Sequence, residues 1–383
     1  MDKVLYISYL FNPFICFSGA AQRSNLLLRS VAEQFEVDLV YFSSSEALEE
    51  DASKYKLKNC NLFFYKLPTK LRKKYKFWQR ESIFPKNEFC EQKCKEFLSK
   101  TDYKYIVVRY LQSVYLYGLQ NEKNIVIDVD DSPIDQFKTF YKSKYANKRL
   151  AYNLKLAMVY VYTRQLIRKS YHAFFSNPNQ IKYKNTSFLP NIPFPFFENT
   201  YLHKTITNDN PTVLFVGAMG YLPNYKGVKL FLDNVWKNVK LQVPTAVFKI
   251  IGKDLPEDMQ NYISNIPDVE YLGLVEDLFA EYAKCDAIVV PIYDGAGTNI
   301  KVLEGMTTGK PCVISEFASR GFEKILIDEE NIMIAKSYDD YAEKIVKELI
   351  DKDHNQYIAK NAKEAINNNY SYEDFRDIVH EIL

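Results

Sequence analysis

Residues 291–311 read PIYDGAGTNIKVLEGMTTGKP. Two glycines, Gly295 and Gly297, follow an apolar run, and Lys301 and Glu304 fall in the first turns of the helix that the spacing predicts next. Glycine lets a backbone approach a ligand closely. The free N–H groups at a helix start, together with the helix dipole, favour an anion there. Lys301 adds a cation about one turn in. An ionised glutamate only accepts hydrogen bonds, so Glu304 suits a vicinal diol such as that of a ribose. Phosphate at the helix start and a diol at the glutamate together describe a nucleoside diphosphate. Taken singly, these residues are ordinary on any surface; their joint placement after a buried strand is what carries chemistry.

The elements that must position this loop alternate regularly. In the first half KVLYISYL, VDLVYF, KYIVVRY and NIVIDVDD read as short, buried strands, with AQRSNLLLRSVAEQF as an amphipathic helix. A long helical region is expected from about 136 to 170, then a strand and turn over HAFFSNPNQI. The second half repeats the rhythm: TVLFVGAM, AVFKIIG, VEYLGLV, DAIVVPIY, PCVIS and NIMIA as strands, with helices between. Gly309 and Pro311 read as a helix stop. Such alternation predicts an α/β chain of two Rossmann-like, doubly wound parallel domains, facing each other across one cleft and binding ligands at the carboxyl ends of their strands. The prolines of SFLPNIPFPFF mark the boundary. The expected organisation is a first domain at 1–190, a second at 191–366 and a closing segment at 367–383.

The chain has 383 residues, which suits two domains better than one core. Its six cysteines show no disulfide framework, and Cys90 and Cys94, with no histidine nearby, do not make a metal site. No apolar run is long enough to span a bilayer, and Asn12 and Pro13 interrupt the apolar start, so a buried strand is expected there rather than a signal peptide. Residues 1–190 carry 31 Lys and Arg against 18 Asp and Glu; the remainder carries 19 against 30, so a net charge of +2 hides a basic half and an acidic half. The segment KLPTKLRKKYKFWQR, with Lys70, Arg72, Lys73, Lys74, Lys76 and Trp78, has no acid, and none occurs from Gln136 to Phe197. Cations interleaved with aromatic rings suit an anionic membrane surface. Nucleic acid would suit the same composition, but the basic residues fall in no recognised nucleic-acid module, and no nucleic-acid partner is expected.

GAGTNIKVLEGMTTGKPCVIS resembles the donor-binding segment of family 4 glycosyltransferases, which have the GT-B fold. TVLFVGAMGYLPNYKGVKLFLDNVW is similar to the opening of the same domain, SFLPNIPF to its hinge, and NYSYEDFRDIVHEIL to the closing helix that crosses back to the first domain. The resemblance covers the second half well and the first half loosely. It implies a donor site formed by Gly19, Gly217, Lys226, Gly295, Ala296, Gly297, Thr298, Asn299, Lys301 and Glu304. Glu304 matches the glutamate that meets the ribose, and Lys226 the lysine that meets the diphosphate. Asp131 falls where relatives carry a polar group near the reacting centre, so Asp131, Lys226 and Lys301 are the expected catalytic residues. The sequence departs from the pattern at Ala296, where a second glutamate is usual, and at Ala218, where an arginine is usual; Lys301 or Arg109 is expected to compensate.

The resemblance implies a retaining glycosyltransferase of the hexosyl type, with a UDP- or GDP-sugar as substrate, no cofactor and no essential metal. Its expected acceptor is a saccharide carried on a lipid, as in bacterial surface polysaccharide assembly, at the inner, cytoplasmic face of the membrane. The alternative is a GT-B scaffold or partner subunit that binds nucleotide without turnover.

Overall fold

The computed structural model describes residues 1–9, 13–14, 19–43, 57–68, 75–141, 148–193, 209–295 and 297–383. The chain divides into two units, one of Met1–Asn191 with Tyr372–Leu383 and one of Ile192–Ser371.

Among the described residues the first unit is built on seven parallel strands: β1 (Lys3–Tyr9), β2 (Glu36–Ser43), β3 (Cys60–Lys66), β4 (Tyr105–Arg109), β5 (Ile125–Asp130), β6 (His172–Phe175) and β7 (Thr186–Phe188). They lie in the order β3-β2-β1-β4-β5-β6-β7. The inner strands are almost wholly buried and mostly apolar, because helices cover both faces of a parallel sheet. The edge strand β3 is only half-buried. Among the described residues of 1–191 the helices beside the sheet are α1 (Gly19–Gln34), α2 (Glu88–Leu98), α3 (Leu111–Leu116), α4 (Pro133–Tyr141) and α5 (Arg149–Lys169). The helical region expected over about 136–170 forms two helices rather than one, the first already starting at Pro133, with residues 142–147 outside the described part. Cys90 and Cys94 face the core from α2, where burial pushes both thiols up, Cys90 to about 12.

Among its described residues the second unit has six parallel strands: β8 (Thr212–Val216), β9 (Val247–Ile251), β10 (Val269–Gly273), β11 (Ala287–Val290), β12 (Cys312–Ser315) and β13 (Met333–Ala335). Their order is β10-β9-β8-β11-β12-β13. The helices are α6 (Leu222–Phe231), α7 (Lys237–Gln242), α8 (Glu257–Ile263), α9 (Leu278–Lys284), α10 (Ile300–Thr307), α11 (Tyr338–Ile350) and α12 (Lys352–Asn369). A π-helical turn at Leu232–Trp236 joins α6 to α7, so the helix predicted over this stretch is continuous but locally widened. The last helix, α13 (Tyr372–Ile382), belongs to the first unit and packs on its α1: the Tyr372 hydroxyl donates to Glu33 at 2.7 Å, and a His380 ring nitrogen meets the Ser30 carbonyl at 2.8 Å.

Both sheets reverse their winding at one place, between β1 and β4 and between β8 and β11. Loops leaving adjacent strands in opposite directions open a crevice at such a point. The loops after β8 and β11 are Gly217–Tyr221 and Pro291–Asn299, so the glycine pair of the opening motif sits at this reversal.

Candidate functional site

Close packing joins the two loops of the second unit. Gly227 on α6 lies against the strand end: a Cβ there would stand 2.1 Å from the Pro291 carbonyl oxygen. Gly217 directly follows β8, and a Cβ there would meet the Asn224 amide nitrogen at 2.7 Å. That amide donates to the Ala218 carbonyl at 2.9 Å, which turns its oxygen towards Lys301, whose ammonium donates to it at 2.9 Å. Lys301 is thus anchored across the winding reversal by one neutral partner. Burial pulls its pKa down to about 8, against a smaller upward pull from Glu304.

Gly295 and Gly297 have φ of 140° and 77°. Both conformations disfavour any side chain, which explains the two glycines more directly than space does, since a Cβ on Gly295 would meet nothing nearer than 3.6 Å. Asn299 caps α10 without a side-chain hydrogen bond. Thr298 lies beside it, and Lys301 and Glu304 stand in the first two turns of α10. Ala296 lies outside the described residues. The Glu304 carboxylate acts on the Tyr282 hydroxyl of α9, which burial first and Glu304 second push well above its ordinary value.

Lys226 projects from α6 to Asp294, with 3.1 Å between ammonium and carboxylate, both about half exposed. A carboxylate on the glycine loop itself therefore competes for the cation that a diphosphate would need. Sequence reasoning gave Asp294 no role, although it lies in the motif. It also missed Asn224 and Arg320. Arg320 donates to the Gly295 carbonyl at 3.3 Å, and its guanidinium lies 3.4 Å from the Phe317 ring centre. Ser315, at the end of β12, donates to the Ile292 carbonyl and fixes the loop from below. Nothing in the local sequence around Arg320 signals this role.

In the first unit Gly19 is the first residue of α1, not part of the loop before it. Asp131 follows β5, beside a buried charge cluster. Arg23 of α1 grips Asp128 with nitrogen–oxygen distances of 2.7–3.0 Å, and also donates to the carbonyls of Leu189 and Pro190. Arg109 pairs with the same Asp128 and, at 3.0 Å, with Asp130. Burial alone would push Asp128 up; Arg23 and Arg109 outweigh it and hold the carboxyl below its usual value. This corrects the expectation that Arg109 substitutes for a missing diphosphate cation: its guanidinium is held by two carboxylates of its own sheet. Asp131 behaves oppositely. Burial and the Asp130 charge raise it to about 7, with Arg109 and Arg23 opposing and Asp135 adding. Tyr110, directly after β4, and Asp130, ending β5, have φ of 63° and 55°, a conformation that non-glycine residues seldom hold without a reason.

Trp78 is 66 % exposed and Lys76 is exposed beside it. Lys70, Arg72, Lys73 and Lys74 lie outside the described residues. Among the described residues, no group of three or more His, Cys, Asp or Glu could hold a metal ion, and no helix is long and apolar enough to cross a membrane. His172 is buried with its pKa lowered to about 4 by burial, and lies against Ser187 at 2.8 Å, so it is a packing group.

Residues 210–351 match the family described as "Glycosyl transferases group 1". The matched span lies within the second unit. An uncharacterized glycosyltransferase of Methanocaldococcus jannaschii is 28 % identical over 176 residues; the match covers 44 % of this chain and 43 % of that protein, less than half of each. Solved structures resemble the chain over its whole length. Sucrose-phosphate synthase from Thermosynechococcus elongatus is 16 % identical with a TM-score of 0.73, covering 100 % of this chain and 98 % of that one. HepE from Anabaena, in complex with UDP and glucose, is 13 % identical with a TM-score of 0.65, covering 100 % and 99 %. At these identities the likeness establishes the fold: two parallel-sheet α/β domains of the GT-B type. The matched segment of this chain thus carries the glycine loop, Lys301 and Glu304 at the winding reversal of the second sheet.

Proposed function

We propose that the protein is a glycosyltransferase that takes a hexosyl group from a UDP- or GDP-sugar and places it on a saccharide acceptor with retention of anomeric configuration. One observation carries this reading: Gly295, Gly297, Lys301 and Glu304 lie together at the winding reversal of the second unit. The structural relative HepE in complex with UDP and glucose supports a UDP-sugar donor. In this reading the amides of 295–299 and the Lys301 ammonium hold the diphosphate, and Glu304 accepts from the ribose hydroxyls. As the bond to the sugar breaks, negative charge grows on the leaving diphosphate. Dipoles and cations already aimed at that charge lower the barrier, each by on the order of 3 kcal/mol. The departing phosphate oxygen takes the acceptor proton, so no protein nucleophile is required, and Asp131 orients the acceptor hydroxyl. Lys226 supplies a second cation once its pairing with Asp294 is released.

The acceptor is a lipid-linked saccharide at an anionic membrane face, as in bacterial surface polysaccharide assembly. Support comes from Lys76 and the exposed Trp78, and from the outer face of α5. There Leu150, Tyr160 and Val161 are exposed among Arg149, Arg164 and Arg168, and the helix contains no acidic residue. The test of the reading is donor cleavage by the purified chain across UDP- and GDP-hexoses. Release of UDP or GDP from one donor, lost in E304Q, supports it; binding of nucleotide with no cleavage of any donor, with or without saccharide acceptors, refutes turnover.

A further inference from the structure

The first unit holds a cavity of about 340 Å³ that the mechanism above does not use. Its walls come from the turn Ser82–Phe84, from Gln112 in the first turn of α3, from Pro133 to Tyr141 of α4, and from Lys155 on α5. Gln112 and Pro133 follow the ends of β4 and β5 by only a few residues, so the cavity lies on the side of the sheet where Asp131 stands. The volume falls in the range of small-ligand sites, about 300–1,000 Å³.

Lys155 is the unusual member. It is 4 % exposed, and its ammonium donates to the Phe77 carbonyl and the Ser82 hydroxyl and lies 4.3 Å from the Phe77 ring centre. An ammonium has three donors, and both of these acceptors are neutral. Among the described residues, no carboxylate pairs with it. The nearby acids are engaged elsewhere: Glu81 with Arg80 at 3.0 Å, and Asp135 with Gln180 at 2.9 Å and Lys138 at 3.8 Å. Buried charges are ordinarily paired, because removing an ion from water is costly. Burial accordingly pulls the Lys155 pKa down. Around the cation the walls hold groups that can meet a sugar ring. Phe137 and Tyr141 stack at 4.9 Å and 12°, with Tyr141 40 % exposed, and Gln112 and Gln136 supply amides.

We propose that this cavity binds an anionic group of the sugar acceptor, a phosphate or a carboxylate carried next to a ring, with Lys155 as its counter-ion. The word acceptor rests on the glycosyltransferase reading; the anion site does not. An anion here completes the pairing of Lys155, and the ring beside it lies on Tyr141. The same lysine holds the Phe77–Ser82 turn that carries Trp78, so occupation of the cavity and placement of the membrane-facing turn share one side chain.

The test is calorimetric titration of the full chain, saturated with UDP to block the second unit, with inorganic phosphate, glucuronate and glucose. A parallel arm uses phosphatidylcholine vesicles with and without phosphatidic acid. The expected result is binding of phosphate or glucuronate and none of glucose. K155M weakens anion binding by about tenfold or more, the loss of a charge-assisted hydrogen bond. Q136A, which leaves the contacts of Lys155 in place, weakens glucuronate by roughly three- to tenfold and serves if K155M does not fold. Phosphate binding in solution identifies a soluble anion; binding only to phosphatidic acid vesicles, lost in K155M, identifies a lipid phosphate. The proposal falls if glucose binds as tightly as glucuronate, if no anion or vesicle binds, or if anion binding is unchanged in folded K155M or, failing that, in Q136A. UDP titration of the UDP-free chain separates the two readings: absence of UDP binding with glucuronate still bound defeats the donor site and leaves the anion site standing.

Discussion

Replacing Lys301 by methionine tests the donor site through its titration. Burial sets the Lys301 pKa at about 8, compared with an ordinary 10.5. Protonation of the unliganded site is then ~0.9 at pH 7 and ~0.1 at pH 9, from the Henderson relation. If the diphosphate binds the ammonium form, the dissociation constant for UDP rises roughly tenfold between these pH values, and binding at pH 9 takes up close to one proton. The K301M chain lacks the cation. It should bind UDP about 10–150-fold more weakly at pH 7, equivalent to ~1.5–3 kcal/mol for a charge-assisted hydrogen bond, with no such pH slope. Stability moves the other way. Between pH 8 and 10.5 the unfolded chain holds more protons at this position than the folded one, so the Lys301 contribution to stability rises with pH while affinity falls. Calorimetry at pH 7, 8 and 9 in two buffers of different ionisation enthalpy reads both affinity and proton uptake. A flat affinity without uptake in the parent chain, or the same slope in K301M, refutes the assignment of Lys301 to the diphosphate.

Three further outcomes are expected. The Asp131 carboxyl, raised from 3.8 to about 7, binds a proton in the folded chain that the unfolded chain has released, so its contribution to stability falls as pH rises from about 4 to 7; D131N should exceed the parent in thermal stability at pH 8 and lose that advantage towards pH 4. In sugar transfer kcat/KM should rise through about pH 7 in the parent and lack that limb in D131N. Gly227→Ala forces a methyl against the Pro291 carbonyl, and a loss of about 3 kcal/mol, or roughly 6–12 °C in Tm, should appear in calorimetry. Replacing both Lys76 and Trp78 by alanine should weaken sedimentation with anionic vesicles by roughly fivefold or more, with no effect on neutral vesicles and a smaller difference at high salt.

What the sequence revealed follows from where burial dominates. The inner strands β4, β8 and β11 are near-continuous apolar runs, and such runs announce themselves. The edge strand β3, half-buried, and the three-residue β7 beside the prolines lack that signal and were not anticipated. The glycine loop was legible because Gly295 and Gly297 hold backbone angles that other residues resist, so the residue type itself records the geometry. Glu304 and Lys301 were legible through helical spacing from that loop. Long-range pairings left no local trace. Arg23 and Asp128 are 105 residues apart in the chain, and only the adjacency of α1 and β5 brings them together. Lys301 and Asn224 are 77 apart, and Lys155 looks in sequence like any other lysine of a basic helix. Arg109 was misjudged for the same reason: its charge was visible, but its two carboxylate partners on β5 were not.

The most direct measurement is the position of UDP in a crystal of the complex. The diphosphate should lie against the amides of 295–299 within reach of the Lys301 ammonium, with both ribose hydroxyls hydrogen-bonded to Glu304. UDP bound with its ribose away from Glu304, or its phosphates away from the glycine loop, would contradict the account.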